Sequence, residues 1–450
     1  MKPAFNCLAP RRLLLRLVAI LFSTLAGCSY QLVHGGKINQ SEVATVEAGI
    51  QRLRQLSFKT NVPILLETPK EASKILSEEL THKVSDQEFK DEGEAGALLG
   101  LYPPGIDLKA ENLRLLESQV SAFYDGDEKV MVLLSGGTSA GLWYGLTQFI
   151  AQRDVIGEMV LAHELTHALQ DQHFDLQRKL DELKDDDRSL ALTAVAEGDA
   201  TLAGFAYVLG SSDPAIIDKL VLELNGLPGE FVKDTSGIAP GVSEPVAFEY
   251  AAGANFVARA LRRGGWDAVD ELYKKPPQST RQIIHPELYF DRFTPPVEVA
   301  FGCYERPVDG WRKSEDNTMG QYLLEVLLEN NLTSHEDARV LADYWRGDHM
   351  KILRNGPNLA VAWVLVLESS YAAERFASTY ASIIPRLPGG SSLHRVEQRA
   401  EKVVVIAGQK PEQSEKAATC VWNSLSLKAS PEGIATSARA DARFKPRAQH

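Results

Sequence analysis

Positive charge is in short supply in this sequence: 48 lysines and arginines stand against 60 aspartates and glutamates, a formal net charge of −12. No basic tract of the kind that grips phosphate breaks the acidic balance, which argues against nucleic acid as a partner. Cysteine is scarce as well, four in 450 residues. Long apolar runs are missing. The stretch from Leu17 to Ala26 is too short to span a bilayer as a stable helix. Alternation of strands with helices is missing too, since residues 142–275 read almost wholly helical, and a doubly wound sheet needs that alternation.

What the chain does have is Val160-Leu161-Ala162-His163-Glu164-Leu165-Thr166-His167-Ala168-Leu169. In a helix of ~3.6 residues per turn, His163 and His167 project from one face, one above the other, within reach of a single ion. Glu164, one residue round from His163, stands where it can take a proton from a metal-bound water. Leu161, Leu165, Ala168, Gln172 and Leu176 form one stripe, and Ile156, Met159 and Val160 lead into the histidine side, so the helix is expected to be buried on two sides. Buried histidines need a partner, and a metal is one.

Two candidates compete for the third ligand. His173 stands where His-Glu-x-x-His-x-x-Gly-x-x-His peptidases carry their third histidine, but the glycine that lets the chain turn back is Gln170 here. If the helix continues, His173 lies ~9 Å further along the axis, too far for a ~2 Å bond. Glu197 is preferred. It sits in a second helical segment beginning near Ser189, where Ala194, Gly198, Ala200 and Gly204 leave room for two helix backbones to approach, and an acid in such surroundings is costly unless paired or metal-bound.

With His163, Glu164 and His167 followed by Glu197, the chain resembles the gluzincins, zinc peptidases whose ligating glutamate lies on a later helix. The likeness covers roughly Phe123 to Thr201, with looser echoes to Tyr289. It implies Zn2+ as cofactor, Glu164 as general base, a peptide or protein substrate, and a sheet edge that binds the substrate backbone as an extra strand. The hairpin signal Ala122–Leu134, turning at Asp125-Gly126-Asp127, is well placed to supply that edge. The acid that follows the ligating glutamate by four residues in the thermolysin branch is Thr201 here, leaving Asp199 or Asp171 to serve. His285, just before Pro286, and Tyr289 are candidates for hydrogen bonding a developing oxyanion. A rival motif, Gly137-Thr138-Ser139-Ala140-Gly141, fits a nucleophile elbow and keeps a serine hydrolase acting through Ser139 as a minor alternative.

The first residues read as an address. Lys2, Arg11, Arg12 and Arg16 precede the apolar run, which ends Leu25-Ala26-Gly27-Cys28 and resembles a bacterial lipobox, with cleavage before Cys28 and lipid on it. Ser29 follows, which in a Gram-negative cell resembles the signal for the outer membrane, facing the periplasm. Loss of residues 1–27 takes four positive charges and leaves the mature chain at −16. Cys303 and Cys420 then remain in an oxidising compartment, either bridged or as two thiols.

The expected class is α+β: a zincin-like metallopeptidase with a mixed α/β N-terminal part, a mainly helical part bearing the ligands, and a small C-terminal α+β domain. The expected divisions are a signal peptide at 1–27, a tether at 28–40, the zincin-like domain at 41–335, the accessory domain at 336–429 and a disordered tail at 430–450. The acidic run Asp91-Glu92-Gly93-Glu94 reads as a solvated loop, and His349–Arg354 with Leu359–Leu367 as a second hairpin about Asn355-Gly356. The main alternative function is a non-catalytic envelope lipoprotein whose zinc is a structural brace and whose surface binds a protein partner.

Overall fold

The structure is a computed structural model that describes residues 32–34, 36–119, 122–135, 154–225, 235 and 237–428. The expectations for the signal peptide, Cys28, Ser139 and the tail at 430–450 lie outside those residues. Among the described residues no helix is long and apolar enough to cross a membrane.

The short hairpin β1 (Val33–His34) and β2 (Lys37–Ile38) leads into α1 (Gln40–Arg54), capped by Asn39. The expected tether is therefore folded at its described residues, 32–34 and 36–40: Leu32 is buried and its N–H donates to Asp154 Oδ2 at 2.9 Å. Next come β3 (Ile64–Glu67), α2 (Pro69–Lys83), α3 (Asp86–Leu99) and α4 (Leu108–Gln119). The acidic run at 91–94 lies inside α3 and is not a loop. Ser85 and Glu88 form a reciprocal capping box that starts the helix, and Asp91 is buried against Arg354, whose Nε donates at 2.9 Å. The strands β4 (Ala122–Asp125) and β5 (Val130–Leu134) form the expected hairpin, with Phe123 opposite Val132. Strand β5 also pairs in parallel with β3, so the order is β3-β5-β4 and β4 is an edge.

The helical part contains α5 (Val155–Phe174), α6 (Leu176–Glu182), α7 (Asp186–Leu209), α8 (Pro214–Leu224) and α9 (Pro240–Lys274), the last kinked at Gly264–Gly265. Leu161, Leu165 and Leu169 of α5 are wholly buried. Each such leucine contributes roughly 1.5–3 kcal/mol of apolar burial. Glycines bring α7 and α9 together backbone to backbone: a Cβ on Gly253 would stand 2.0 Å from Ala194 O, and one on Gly198 would stand 2.3 Å from Gly253 C. The same small-residue face lets Gly204 approach Met159 O of α5.

The chain continues through α10 (Thr280–Ile284), α11 (Glu287–Phe290), β6 (Glu298–Phe301), β7 (Arg312–Asn317), α12 (Gly320–Asn331) and α13 (His335–Asp343). It ends with β8 (Trp345–Asn355), β9 (Asn358–Leu367), α14 (Ser370–Ile383), β10 (His394–Arg399), β11 (Lys402–Ala407), α15 (Pro411–Ser424) and β12 (Leu425–Lys428). An antiparallel sheet of order β10-β11-β9-β8-β7 forms here, so it begins at Arg312, upstream of the boundary expected at 336. Strand β9 is nearly all apolar because both faces are covered. Val361, Trp363 and Leu365 join the core that also holds Leu161 and Ala194, whereas Ala360, Ala362 and Val364 pack with Ala418 and Val421 of α15 on the other side. Cys303 and Cys420 are joined in a disulfide that ties the segment after β6 to α15.

Candidate metal centre

Helix α5 holds its position through both ends: Asp154 accepts from Gly157 N–H at 3.1 Å, and Asp175 closes the C-terminus in the left-handed region at φ 53°. The helix runs unbroken through Gln170 to Phe174. His173 is accordingly carried away from the other histidines, and its Nε2 meets Ser57 O at 2.8 Å. Helix α7 starts on an Asp185 cap and brings Glu197 to the face of α5 that bears His163 and His167.

One ligand atom from each of His163, His167 and Glu197 lies within 4.8 Å of the other two, so the group could hold a metal ion. The two Nε2 atoms are 3.0 Å apart; His163 Nε2 is 3.2 Å from Glu197 Oε2, and His167 Nε2 is 3.4 Å from Glu197 Oε1. Donors on a tetrahedral ion with bonds of ~2.0–2.2 Å stand ~3.3–3.6 Å apart; the His167–Glu197 spacing falls in that range and the other two lie just short of it. A second sign of fit is Glu197 Oε2, which is fully buried and takes no well-aligned hydrogen bond.

The charges of these groups depend on one another. Burial pushes Glu197 up, but His167 and then His163 overcome it and hold this carboxylate well below its ordinary range. Burial lowers His167, and Glu197 followed by Glu164 overrides that pull and raises it to about 9. Glu164 is raised by burial against the opposing charges of the two histidines. Its Oε2 accepts the Tyr124 N–H at 3.0 Å, which ties it to the edge strand β4.

A cleft of about 350 Å³ opens over these groups. Ala122, Phe123 and Tyr124 of β4 line it, with Met159 and Val160 on one side and Val246, Glu249 and Tyr250 of α9 on another. Its described lining includes the carboxyls of Glu164, Asp171, Glu197 and Glu249 and no lysine or arginine. The Tyr250 ring stacks on His163, centroids 6.0 Å apart, and its hydroxyl is pushed well up by burial and by Glu197.

His285 is not brought to the cleft, contrary to the role expected for it. Its Nε2 meets Asp343 Oδ1 at 3.1 Å and Gln321 Nε2 at 3.2 Å, because α10 packs on α12 and turns the ring toward α13. Tyr289 likewise donates its hydroxyl to Lys275 O, away from the metal group. Of the two acids weighed as supports, Asp171 accepts from Tyr124 Oη at 3.0 Å and Lys129 Nζ at 2.6 Å, and Asp199 accepts from Gln170 Nε2 at 3.0 Å. Sequence reasoning missed Gln170, Glu249 and Tyr250. Gln170 was legible, lying three residues after His167 on the same helical face. Nothing local marked Glu249 or Tyr250, which α9 delivers from more than eighty residues downstream.

Residues 306–420 match a domain of unknown function, DUF8575. That region contains none of the three metal-group residues. No curated protein matches the chain. Among solved structures, the chain is similar to a candidate hydrolase with a novel fold from Chloroflexus aurantiacus, at 17% identity and a TM-score of 0.38, covering 62% of this chain and 96% of the other. That likeness is too slight to carry an argument.

Proposed function

We propose that the chain is a zinc-dependent peptidase of gluzincin type, with His163, His167 and Glu197 as ligands and Glu164 as general base. The observation that carries this reading is the division of labour among four adjacent side chains. Three converge closely enough to hold one ion, and the fourth is left free of that task beside an open cleft. Zinc, when bound, would supply Lewis acidity, lowering the pKa of a water and polarising the scissile carbonyl. Glu164 takes the proton of the attacking water and passes it to the leaving nitrogen.

The chain's own residues also orient the substrate. Tyr124 N–H points at Glu164, and by the two-residue period of a strand Ala122 turns its backbone groups to the same open edge. An extended peptide laid along β4 in this way runs past the base. In the proposed fold of zincin type, α5, α7 and the β4 edge form the working unit, and the C-terminal sheet braces it from behind. We propose with it a lipid anchor at Cys28 and a place in the bacterial envelope.

The test is Glu164→Gln in protein without its first 27 residues, incubated with a mixed peptide library and read by mass spectrometry. The variant should keep the metal and lose about 10²- to 10⁴-fold in rate, the usual cost of a positioned general base. Chelator-sensitive cuts in the wild type that are lost in the variant are the expected result. Equal cutting by both proteins would sink the assignment. Zinc held by both with no cutting would favour the structural brace, which needs neither a base nor a cleft.

A further inference from the structure

We infer that Gln170, anchored by Asp199, is a positioning residue that fixes the tautomer of His167 and thereby sets the affinity of the site for metal. The inference rests on the metal reading above and adds to it what holds one ligand in its binding form.

Gln170 is wholly buried between α5 and α7. One end of its amide lies 3.0 Å from Ala196 O and 3.0 Å from Asp199 Oδ2. A carbonyl and a carboxylate both accept, so the end facing them must be the NH2 group. The amide oxygen is then the atom that meets His167 Nδ1 at 2.9 Å. An oxygen acceptor there requires Nδ1 to carry its proton, and the lone pair of the neutral ring is left on Nε2. That nitrogen is the one 3.0 Å from His163 Nε2 and 3.4 Å from Glu197 Oε1.

Asp199 is fixed in turn. It accepts from Tyr273 Oη at 2.8 Å and from Arg54 Nη2 at 3.1 Å, and the same Arg54 nitrogen also donates to Asp270 Oδ1 at 2.8 Å. The Arg54 guanidinium lies over the Trp266 ring, 4.6 Å from its centroid. Elements α1, α5, α7 and α9 thus all end on one imidazole. No such partner meets Nδ1 of His163 among the described residues; that ring is held instead by stacking on Tyr250 and by Glu197. The Gln170 side chain has a double consequence: it keeps the helix running where a glycine would let it turn, and it supplies the acceptor.

Three proteins decide the matter: wild type, Gln170→Met, and the exchange Gln170→Glu/Asp199→Asn, which returns an acceptor to His167 and keeps one carboxylate and one amide in the network. Zinc affinity is measured by chelator competition, with melting curves of the zinc-free proteins to show that each is folded. Gln170→Met should bind zinc about 10- to 100-fold more weakly, the usual cost of losing a partner of a ligating histidine. The exchange should recover most of that loss. Unchanged affinity in Gln170→Met would overturn the inference, as would an exchange no better than the methionine variant, which is what a space-filling role predicts. Independently of metal, long-range 15N–1H correlation on histidine-labelled, zinc-free wild type at a pH where the ring is neutral should show the proton on Nδ1 of His167. A proton on Nε2 overturns the inference. A wild type that takes up no zinc sinks the metal reading, and the tautomer measurement still decides the role of Gln170.

Discussion

Glu197 and His173 are the two candidates for a third ligand beside His163 and His167, and the geometry divides them sharply. Glu197 meets both ligand nitrogens within 3.4 Å, whereas His173 is spent on Ser57 O. Glu197→Gln keeps the size of the side chain but removes the charge that offsets two histidines and a cation. It should therefore weaken zinc binding by at least about tenfold, in line with the loss of a ligand-shell charge. His173→Ala should leave one zinc per chain. Metal content after dialysis against a weak chelator checks both, and zinc lost from the His173 variant alone would reverse the assignment.

At the scale of elements, the site exists because α7 and α9 touch through glycine. A methyl group on Gly253 would fall on Ala194 O, and neither backbone can withdraw without moving Glu197, three residues further along α7. Gly253→Ala should destabilise the protein by about 1–3 kcal/mol or more, as overpacking does. It should weaken zinc binding as well; a calorimetric melting curve and a zinc titration would show both. A variant as stable and as metal-competent as the wild type would mean that the helices separate freely.

A second contact between elements responds to pH. Glu92 of α3 faces Asp186 of α7 and Glu315 of β7, with Glu88 and Asp91 close by on its own helix. Burial first, and these like charges second, push Glu92 up to about 9, while Glu315 is raised to about 7 and Asp186 to about 6. A raised carboxyl binds its proton more tightly in the folded chain. The stability it contributes is complete below the unfolded value near 4.5 and is lost as pH rises towards 9. Melting temperature should therefore fall between pH 5 and pH 9 in the wild type, and Glu92→Gln should flatten that fall and raise stability at pH 9, by on the order of 1–3 kcal/mol. Parallel curves for the two proteins would show that Glu92 is already ionised when folded.

For the whole molecule, the question is where it works. One apolar core runs from Leu32 to Ala407, so the C-terminal sheet and the helices that carry His163, His167 and Glu197 share a hydrophobic interior. Leu32, four residues after Cys28, is already buried in this core, which would hold the body close to a membrane if that cysteine carries lipid. Cys28→Ala should abolish incorporation of a labelled fatty acid and leave the chain uncut or soluble. Label retained in that variant would remove the anchor.

The sequence by itself determined the features that repeat at short range. His163, Glu164 and His167 share a helix because four residues make about one turn. The β4–β5 and β8–β9 hairpins follow from turn residues between apolar runs, and Glu197 was legible as an acid among small residues. The tertiary structure decided what depends on distant chain. It alone brought Tyr250 and Glu249 over the histidines, turned His285 towards Asp343, and buried Leu32 where a tether was expected. It also placed the acidic run in a helix, where Arg354 from the far sheet neutralises Asp91. The physical reason is the same in each case. Periodicity records which face of an element is apolar, whereas the partner of a polar group is set by packing between elements that no local pattern encodes.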